Sequence, residues 1–157
     1  MTSERHSTHQ QSRKAFLPQN TMVILSLMGF DDIRQVDDTF VSFRFGGQTY
    51  ETARLEGHAC IGIVRGLYSD EECFSGMKAG EDLMKENPSL QCYYSAYEEQ
   101  IRLRLWLDCG SALEYEKAVL KGIDELEGVN DSFQARVQHH MFKMVAPIFD
   151  NIIHSQK

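Results

Sequence analysis

Alternating apolar and polar positions between residues 90 and 109 predict a β-hairpin. Every second residue from Ile101 to Leu107 is aliphatic, and Arg102, Arg104 and Trp106 occupy the positions between. This period of two is typical of a strand with one buried face. The aromatic-rich segment 90–97 predicts the partner strand.

The first half of the chain predicts a helix followed by an antiparallel meander. Pro18 suits a first helical turn, and the apolar segment 22–28 ends at Gly29, where a left-handed cap is favoured. Alternation over residues 39–45 and the pair Gly46-Gly47 predict a hairpin whose return strand is 48–55. A further strand is predicted over residues 58–64.

Two S-x-x-E capping boxes predict the starts of helices at Ser69 and Ser111. The first helix should end at Asn87, because a residue before proline disfavours the helical conformation. Its predicted packing stripe is Cys73, Met77, Gly80 and Met84, flanked by Phe74 and Leu83. The predicted stripe of the second is Leu113, Val119, Leu120, Ile123 and Leu126.

The C-terminal pattern predicts one more helical segment. Residues 128–131 should break the preceding helix, an extension should begin at about residue 131, and Pro147 should kink or interrupt it. Residues 1–16 predict a disordered polar tail and residues 17–157 a single domain. The predicted class is α+β, an antiparallel meander sheet with helices packed on one face, in the order α-βββ-α-ββ-α-α.

Composition narrows the class of partner. The chain of 157 residues carries a formal net charge of −7 with no basic cluster, which argues against nucleic acid. No apolar run approaches the ~20 residues of a membrane span, so no membrane partner is expected. The four cysteines lack C-x-x-C spacing, which favours free thiols and a cytoplasmic location.

Candidate catalytic and metal-binding groups are sparse. His58 and Cys60 share one side of a predicted strand, but a structural role is favoured over nucleophilic catalysis. The pairs His6 with His9 and His139 with His140 lack further ligands and suitable geometry for a metal. Phosphate-binding glycine motifs are absent from the sequence. We therefore expect no enzymatic activity, cofactor or metal.

The order of elements, with the segments FRFGGQTYE, MKENPSLQCYY and IRLRLWLD, resembles the YbjN family of bacterial proteins, which is similar in fold to type III secretion chaperones. The matching positions are Phe45, Gly47, Tyr50, Asn87 and Phe133. None of them is catalytic. The resemblance implies a small α+β module that binds another polypeptide or has a regulatory role.

The outward side of the second hairpin is the predicted interface. It would consist of Arg102, Arg104 and Trp106, joined by Tyr93 or Tyr94, because Trp, Tyr and Arg are enriched at binding hot spots. A bound polypeptide segment could occupy the sheet face or a sheet edge. A homodimer is compatible with this hypothesis, and Met141 and Met144 are favoured as core or dimer seam.

The alternative hypothesis is a small-ligand sensor. Its pocket would lie between sheet and helices and hold an anionic metabolite. The residues assigned to this pocket are Arg54, Arg65 and His58.

Overall fold

The computed structural model describes residues 14–155 and confirms the α+β class. Within these residues the elements are α1 (Pro18–Leu27), β1 (Asp31–Gln35), β2 (Val41–Phe45), β3 (Gln48–Leu55), β4 (Gly57–Gly66), α2 (Asp70–Glu86), β5 (Leu90–Ser95), β6 (Gln100–Cys109) and α3 (Ala112–Ser155). The strands form one antiparallel sheet in the order β1-β2-β3-β4-β6-β5.

Two details differ from the predicted elements. The short strand β1 was not predicted, because Ile33 is its only residue that is even partly buried and no alternation is visible. The last two predicted helices are one continuous helix, α3, which includes both Gly128 and Pro147. A Cβ at Gly128 would have no neighbour within 4 Å, so this glycine costs only its intrinsic helix propensity, about 1 kcal/mol.

Local signals in the sequence produce the expected caps and turns. Gly29 has a φ of +89°, and the backbone N–H groups of Gly29 and Phe30 donate to the carbonyls of Ser26 and Leu25, which is a Schellman motif. Gly46 and Gly47 both have positive φ, as a two-residue hairpin turn requires.

Both capping boxes are present in a modified form. Ser69 Oγ accepts a hydrogen bond from the N–H of Glu72 at 3.1 Å, and Ser111 Oγ accepts one from Glu114 at 3.2 Å. Each glutamate carboxylate then accepts the N–H of the residue before the cap, which is Tyr68 in one box and Gly110 in the other. The boxes therefore fix both the helix start and the entering chain.

Contacts divide the chain into two compact units. Unit 1 contains the chain up to Ile63 together with Arg104–Asp124, and unit 2 contains Val64–Leu103 together with the chain from Glu125 onward. The strands β4 and β6 and the helix α3 each contribute to both units.

In unit 1, the helix α3 lies on the sheet through a buried hydroxyl pair and a close contact. The Tyr115 hydroxyl lies 2.7 Å from Thr52 Oγ1, and Thr52 donates to the carbonyl of Cys60 at 2.9 Å. A Cβ at Gly122 would lie 2.2 Å from Ile61 Cγ2, so only glycine allows this approach.

The buried side of α3 agrees in part with the predicted stripe, because Val119, Ile123 and Leu126 are buried. The residues that α3 buries in unit 1, which we call the covered stripe, are Tyr115, Ala118, Val119 and Ile123. Leu113 and Leu120 were predicted to be buried but are exposed. That prediction was wrong because it weighted the largest aliphatic residues, whereas the close approach at Gly122 selects the side of the helix that meets the sheet.

The last three residues of the predicted tail, 14–16, lie beside the sheet. The N–H of Phe16 donates to the carbonyl of Arg54 at 3.0 Å, and the N–H of Glu56 donates to the carbonyl of Lys14 at 2.9 Å. Residues 14–16 therefore pair with the end of β3. The rest of the predicted tail, with His6 and His9, lies outside the described residues.

In unit 2, the helix α2 packs on β5 through small side chains. Its buried residues are Ser75, Gly76, Ala79, Gly80 and Leu83. The predicted stripe was right for Gly80 and Leu83, which are buried, and wrong for Phe74, Met77 and Met84, which are exposed. A Cβ at Gly80 would lie only 3.2 Å from that of Cys92, so the approach of helix and strand favours small residues over the larger methionines.

Candidate functional site

The two sides of β6 differ, as the alternation predicts. Ile101, Leu103 and Leu105 are buried, and the three residues between and after them, Arg102, Arg104 and Trp106, are partly exposed. In unit 1, Leu107 approaches Gly122 of α3, which identifies the side of β6 that meets the helix. Arg104 and Trp106 therefore face the opposite side.

Strand register and side-chain contacts define this opposite side of unit 1. Thr52 and Ile61 meet α3, so their strand neighbours Glu51 and Cys60 point away from it. We call this side the outer face; its residues are Phe40, Glu51, His58, Cys60, Arg104, Trp106 and Asp108. Two contacts join them across strands: the Arg104 guanidinium lies 4.2 Å from the centre of the Phe40 ring, and His58 Nδ1 lies 3.6 Å from an Asp108 carboxylate oxygen.

The stack of Arg104 on Phe40 is a cation–π contact. It orients a long, flexible arginine on the surface before any partner binds, which lowers the conformational entropy lost on binding. The sequence did not indicate this contact, because Phe40 precedes β2 and lies 64 residues before Arg104.

The cysteine of the outer face is not set up as a nucleophile. Burial raises the pKa of the Cys60 thiol to about 12, with the nearby Arg104 charge lowering it and Glu51 raising it. A thiol with this pKa is neutral at physiological pH, and the thiolate is the nucleophilic form. His58 pairs with Asp108, whose side chain is fully exposed, so the pair lies in water.

In unit 2, the structure distinguishes between the two candidate tyrosines. Cys92 and Ile101 approach Gly80 of α2, so Tyr93 and Arg102 point away from that helix. Tyr93 is exposed and its hydroxyl bonds Gln91. A hydrogen bond with Cys73 raises the pKa of Tyr94, which places this tyrosine on the α2 side.

Arg102 is held by an exposed ion pair. Its Nη1 lies 2.9 Å from a carboxylate oxygen of Glu98 in the connection of the hairpin. Exposed pairs of this kind contribute little to stability, so the main effect is to limit the positions available to the guanidinium.

Both edges of the sheet are protected. The edge strand β1 has an irregular register between Asp31 and Arg34, and Asp32 has a φ of +52°. On β5, two amides are already satisfied: Leu90 donates to the carbonyl of Asn87 and Cys92 donates to Met84 Sδ at 3.4 Å. Bulges, charges and covered amides are the usual means by which proteins block the addition of another strand.

The three residues assigned to a ligand pocket make separate contacts. In unit 1, the Arg54 guanidinium lies 4.0 Å from the centre of the Phe16 ring, and His58 pairs with Asp108. In unit 2, Arg65 Nη2 donates to Gln134 Oε1 at 3.4 Å and lines a cleft of about 230 Å³ with Glu72, Phe133 and Met141.

A second cleft, in unit 1, was not predicted. It has a volume of about 370 Å³ and is lined by Lys14, Ala15, Phe16, Leu17, Asn20 and Glu56. No sequence pattern predicted this cleft, because residues 1–16 were predicted to be a disordered tail.

Within residues 14–155, no group of three or more His, Cys, Asp or Glu side chains is arranged to hold a metal ion. His140 instead bonds the Asp82 carboxylate at 3.1 Å. All four cysteines are free thiols. In the same part of the chain, no helix is both long and apolar enough to cross a membrane.

Comparison with known proteins gave no relative: no protein-family model matches the chain, and no curated protein sequence matches it.

Proposed function

We propose that this chain is a non-enzymatic module that binds a polypeptide segment on the outer face of unit 1. The observation that carries the proposal is the Arg104–Phe40 stack beside Trp106, on a strand whose other side is buried. Arginine and aromatic residues on a rigid strand are the usual anchors of protein interfaces.

The protected edges favour the face over the edge as the binding surface. A strand added at β1 would meet the irregular register near Asp32, and one added at β5 would have to displace Met84 from Cys92. Binding on the face requires neither change. Side-chain contacts would then provide both affinity and specificity.

The biological role that we propose is chaperone-like or regulatory, in the cytoplasm. It agrees with the resemblance of the FRFGGQTYE and IRLRLWLD segments to YbjN proteins and secretion chaperones. The neutral thiol of Cys60 and the solvent-exposed His58–Asp108 pair supply no nucleophile, which agrees with a role in binding.

The test is peptide selection from a random displayed library with the full chain, followed by fluorescence anisotropy of the selected peptides. We expect the variants Trp106→Ala and Arg104→Ala each to weaken binding by about 10-fold or more, the loss typical of a hot-spot residue. Trp106 is the only tryptophan, so its emission should also change when a peptide binds the wild type.

The matched control is Leu113→Ala, which shortens an exposed side chain on α3 and should leave affinity unchanged. Peptides that bind all three variants equally, or that leave the Trp106 emission unchanged, would contradict the proposal.

A small-ligand sensor is the second candidate function, favoured by the cleft at Arg65. The cleft combines a cation with the Glu72 carboxylate and the Gln134 amide, so its charge is mixed. Its volume, about 230 Å³, is below the ~300–1,000 Å³ of most ligand pockets, which is why this function ranks second. Under this alternative, a metabolite would raise the melting temperature of the wild type and not that of Arg65→Gln.

A further inference from the structure

The last turns of α3 in unit 2 expose a row of large apolar side chains. Six of them are 38% to 65% exposed: Phe142, Val145, Ile148, Phe149, Ile152 and Ile153. We call these six residues the open stripe. At 100° per residue they occupy an arc of about 140° on one side of the helix. The opposite side carries Lys143, Asp150 and His154.

The helix α2 does not cover the open stripe. It contacts α3 through Asp82, which bonds His140, and through Ser75, whose hydroxyl lies 3.6 Å from Met144 Sδ. Positions 140 and 144 lie on a different side of α3 from the centre of the stripe at Val145. The apolar side chains are exposed in spite of the packing within unit 2.

The open stripe begins abruptly along the helix, at Phe142. Two sets of residues, each spaced by seven, lie on nearly the same side of the helix: Gln138, Val145 and Ile152 form one set, and Ala135, Phe142 and Phe149 form the other. This side is therefore polar or small up to residue 138 and strongly apolar from Phe142 onward. A patch that is limited to a few turns indicates a specific contact surface.

The composition of residues 1–13 does not match an apolar surface of this size. Residues 1–13, MTSERHSTHQQSR, contain Met1 as their single large apolar residue. A segment of this composition has too little apolar surface to bury six exposed side chains.

We infer that the open stripe binds the open stripe of a second copy, with the two helices antiparallel. The residues Phe142, Val145, Phe149 and Ile152 have the 3-4-3 spacing of a coiled-coil seam. The spacing is unchanged when the sequence is read backward, so a two-fold axis near residue 147 pairs Phe142 with Ile152 and Val145 with Phe149 of the other copy.

The antiparallel pairing also gives layers of similar side-chain volume. Each antiparallel layer contains one phenylalanine and one β-branched residue, whereas a parallel dimer would stack phenylalanine on phenylalanine and valine on valine. Equal layers allow the helices to stay at a constant separation. Pro147 lies on the side away from the seam, where its ring does not meet the second copy.

The area of the stripe predicts a reversible dimer. The six side chains expose on the order of 500 Å² on each copy, comparable to the largest apolar patch of a typical monomer, which is often a functional surface. Two copies would bury about 1,000 Å², at the lower limit for a specific interface and below that of obligate dimers. The dimer should therefore dissociate on dilution.

Sedimentation of the full chain over roughly 1–200 µM, which brackets the affinity of an interface this small, tests the inference. The wild type should change from monomer to dimer across this range. Val145→Glu and Phe149→Lys should each weaken dimerisation by about 100-fold or more, because each would bury unpaired charges at the seam. An equimolar mixture of the two variants should restore a dimer, because residue 145 faces residue 149 of the other copy.

Leu120→Glu is the matched control for Val145→Glu, since it adds the same charge at another exposed aliphatic residue of the same helix. It should leave the dimer intact, and all variants should keep the wild-type circular dichroism. A wild type that stays monomeric at the highest concentration would overturn the inference. Two further results would also overturn it. One is a dimer that forms from Val145→Glu with Val145→Lys but not from Val145→Glu with Phe149→Lys, because residue 145 faces residue 145 only in a parallel pair. The other is binding of the chain to anionic vesicles without formation of any dimer.

Discussion

The helix α3 buries apolar side chains in unit 1 and, in unit 2, as far as Val137, but the apolar side chains of its last turns, from Phe142 onward, are exposed. The covered stripe is built around Tyr115 and the glycine at 122, and it meets the sheet so closely that a Cβ would collide with Ile61. The open stripe consists of phenylalanine, isoleucine and valine, with no glycine. Small residues indicate close contact with a sheet, whereas a row of large side chains suits the 8–10 Å separation of two helices.

The largest expected effect comes from removing the central side chain of the covered stripe. Tyr115 is fully buried, so Tyr115→Ala should lower the free energy of unfolding by about 4 kcal/mol, through lost apolar contacts and the lost hydrogen bond between the Tyr115 and Thr52 hydroxyls. Urea denaturation at low protein concentration measures the change. Phe149→Ala, the control in the open stripe, should change the stability of the monomer by less than ~0.5 kcal/mol. Equal losses in both variants would mean that both stripes are buried within one chain.

The next effect comes from adding one methyl group where α3 meets the sheet. Gly122→Ala would place a Cβ 2.2 Å from Ile61 Cγ2, so the Ile61 side chain would have to change rotamer in the packed core or the helix and strand would have to separate. We expect a loss of about 1–3 kcal/mol, as for other overpacked cores. Gly128→Ala in the same helix meets nothing within 4 Å and should instead stabilise the chain by up to ~1 kcal/mol. Thermal unfolding should therefore show a lower melting temperature for Gly122→Ala and a higher one for Gly128→Ala, each relative to the wild type.

Alkaline pH should destabilise unit 1 through the buried Cys60 thiol on the other side of the sheet, without any change of sequence. Burial raises the pKa of Cys60, whose carbonyl accepts the Thr52 hydroxyl, from 9.0 to about 12. Because the folded pKa is the higher one, the stabilising contribution is complete below pH 9 and is lost as the pH rises from 9 towards 12. The loss from this group should be at most about 1.4 kcal/mol per pH unit.

Denaturation in reductant, with the Cys60→Ala variant beside the wild type, measures this loss. The variant should have a shallower decline of stability between pH 9 and pH 11. A decline with the same slope in both proteins would assign the loss to other groups, such as Cys92, whose pKa burial raises to about 11.

The smallest expected effect is on the open stripe itself. The double variant Phe142→Ser with Phe149→Ser should leave the stability of the monomer within ~0.5 kcal/mol of the wild type, because both rings are mostly exposed in one chain. Thermal unfolding at low concentration checks this. At high concentration the wild type alone should gain stability, since dimerisation stabilises the folded state by mass action.

The sequence predicted the features that depend on neighbouring residues. The turns at Gly29 and Gly46-Gly47, the caps at Ser69 and Ser111, and the two sides of β6 all follow from patterns within a few residues, and the structure contains each of them. The packing faces of α2 and α3 followed only in part, because the glycine and serine residues at the contacts carry no hydrophobic signal.

For the candidate site, the sequence predicted which side of β6 would carry Arg102, Arg104 and Trp106. It left the choice between Tyr93 and Tyr94 open, and this choice depends on the contact of Cys92 with Gly80. The stack of Arg104 on Phe40 joins residues from two separate strand regions, so no local pattern could predict it.

The amino-acid sequence by itself determined the α+β class, the order of the elements and the alternation along β6, because caps, turns and periodicity act over a few residues. Only the tertiary structure decided which sides of α2 and α3 are buried, how Tyr115 meets Thr52, and which apolar stripe is exposed. These features depend on distances between elements, and the space available at a glycine is set by whatever packs against it.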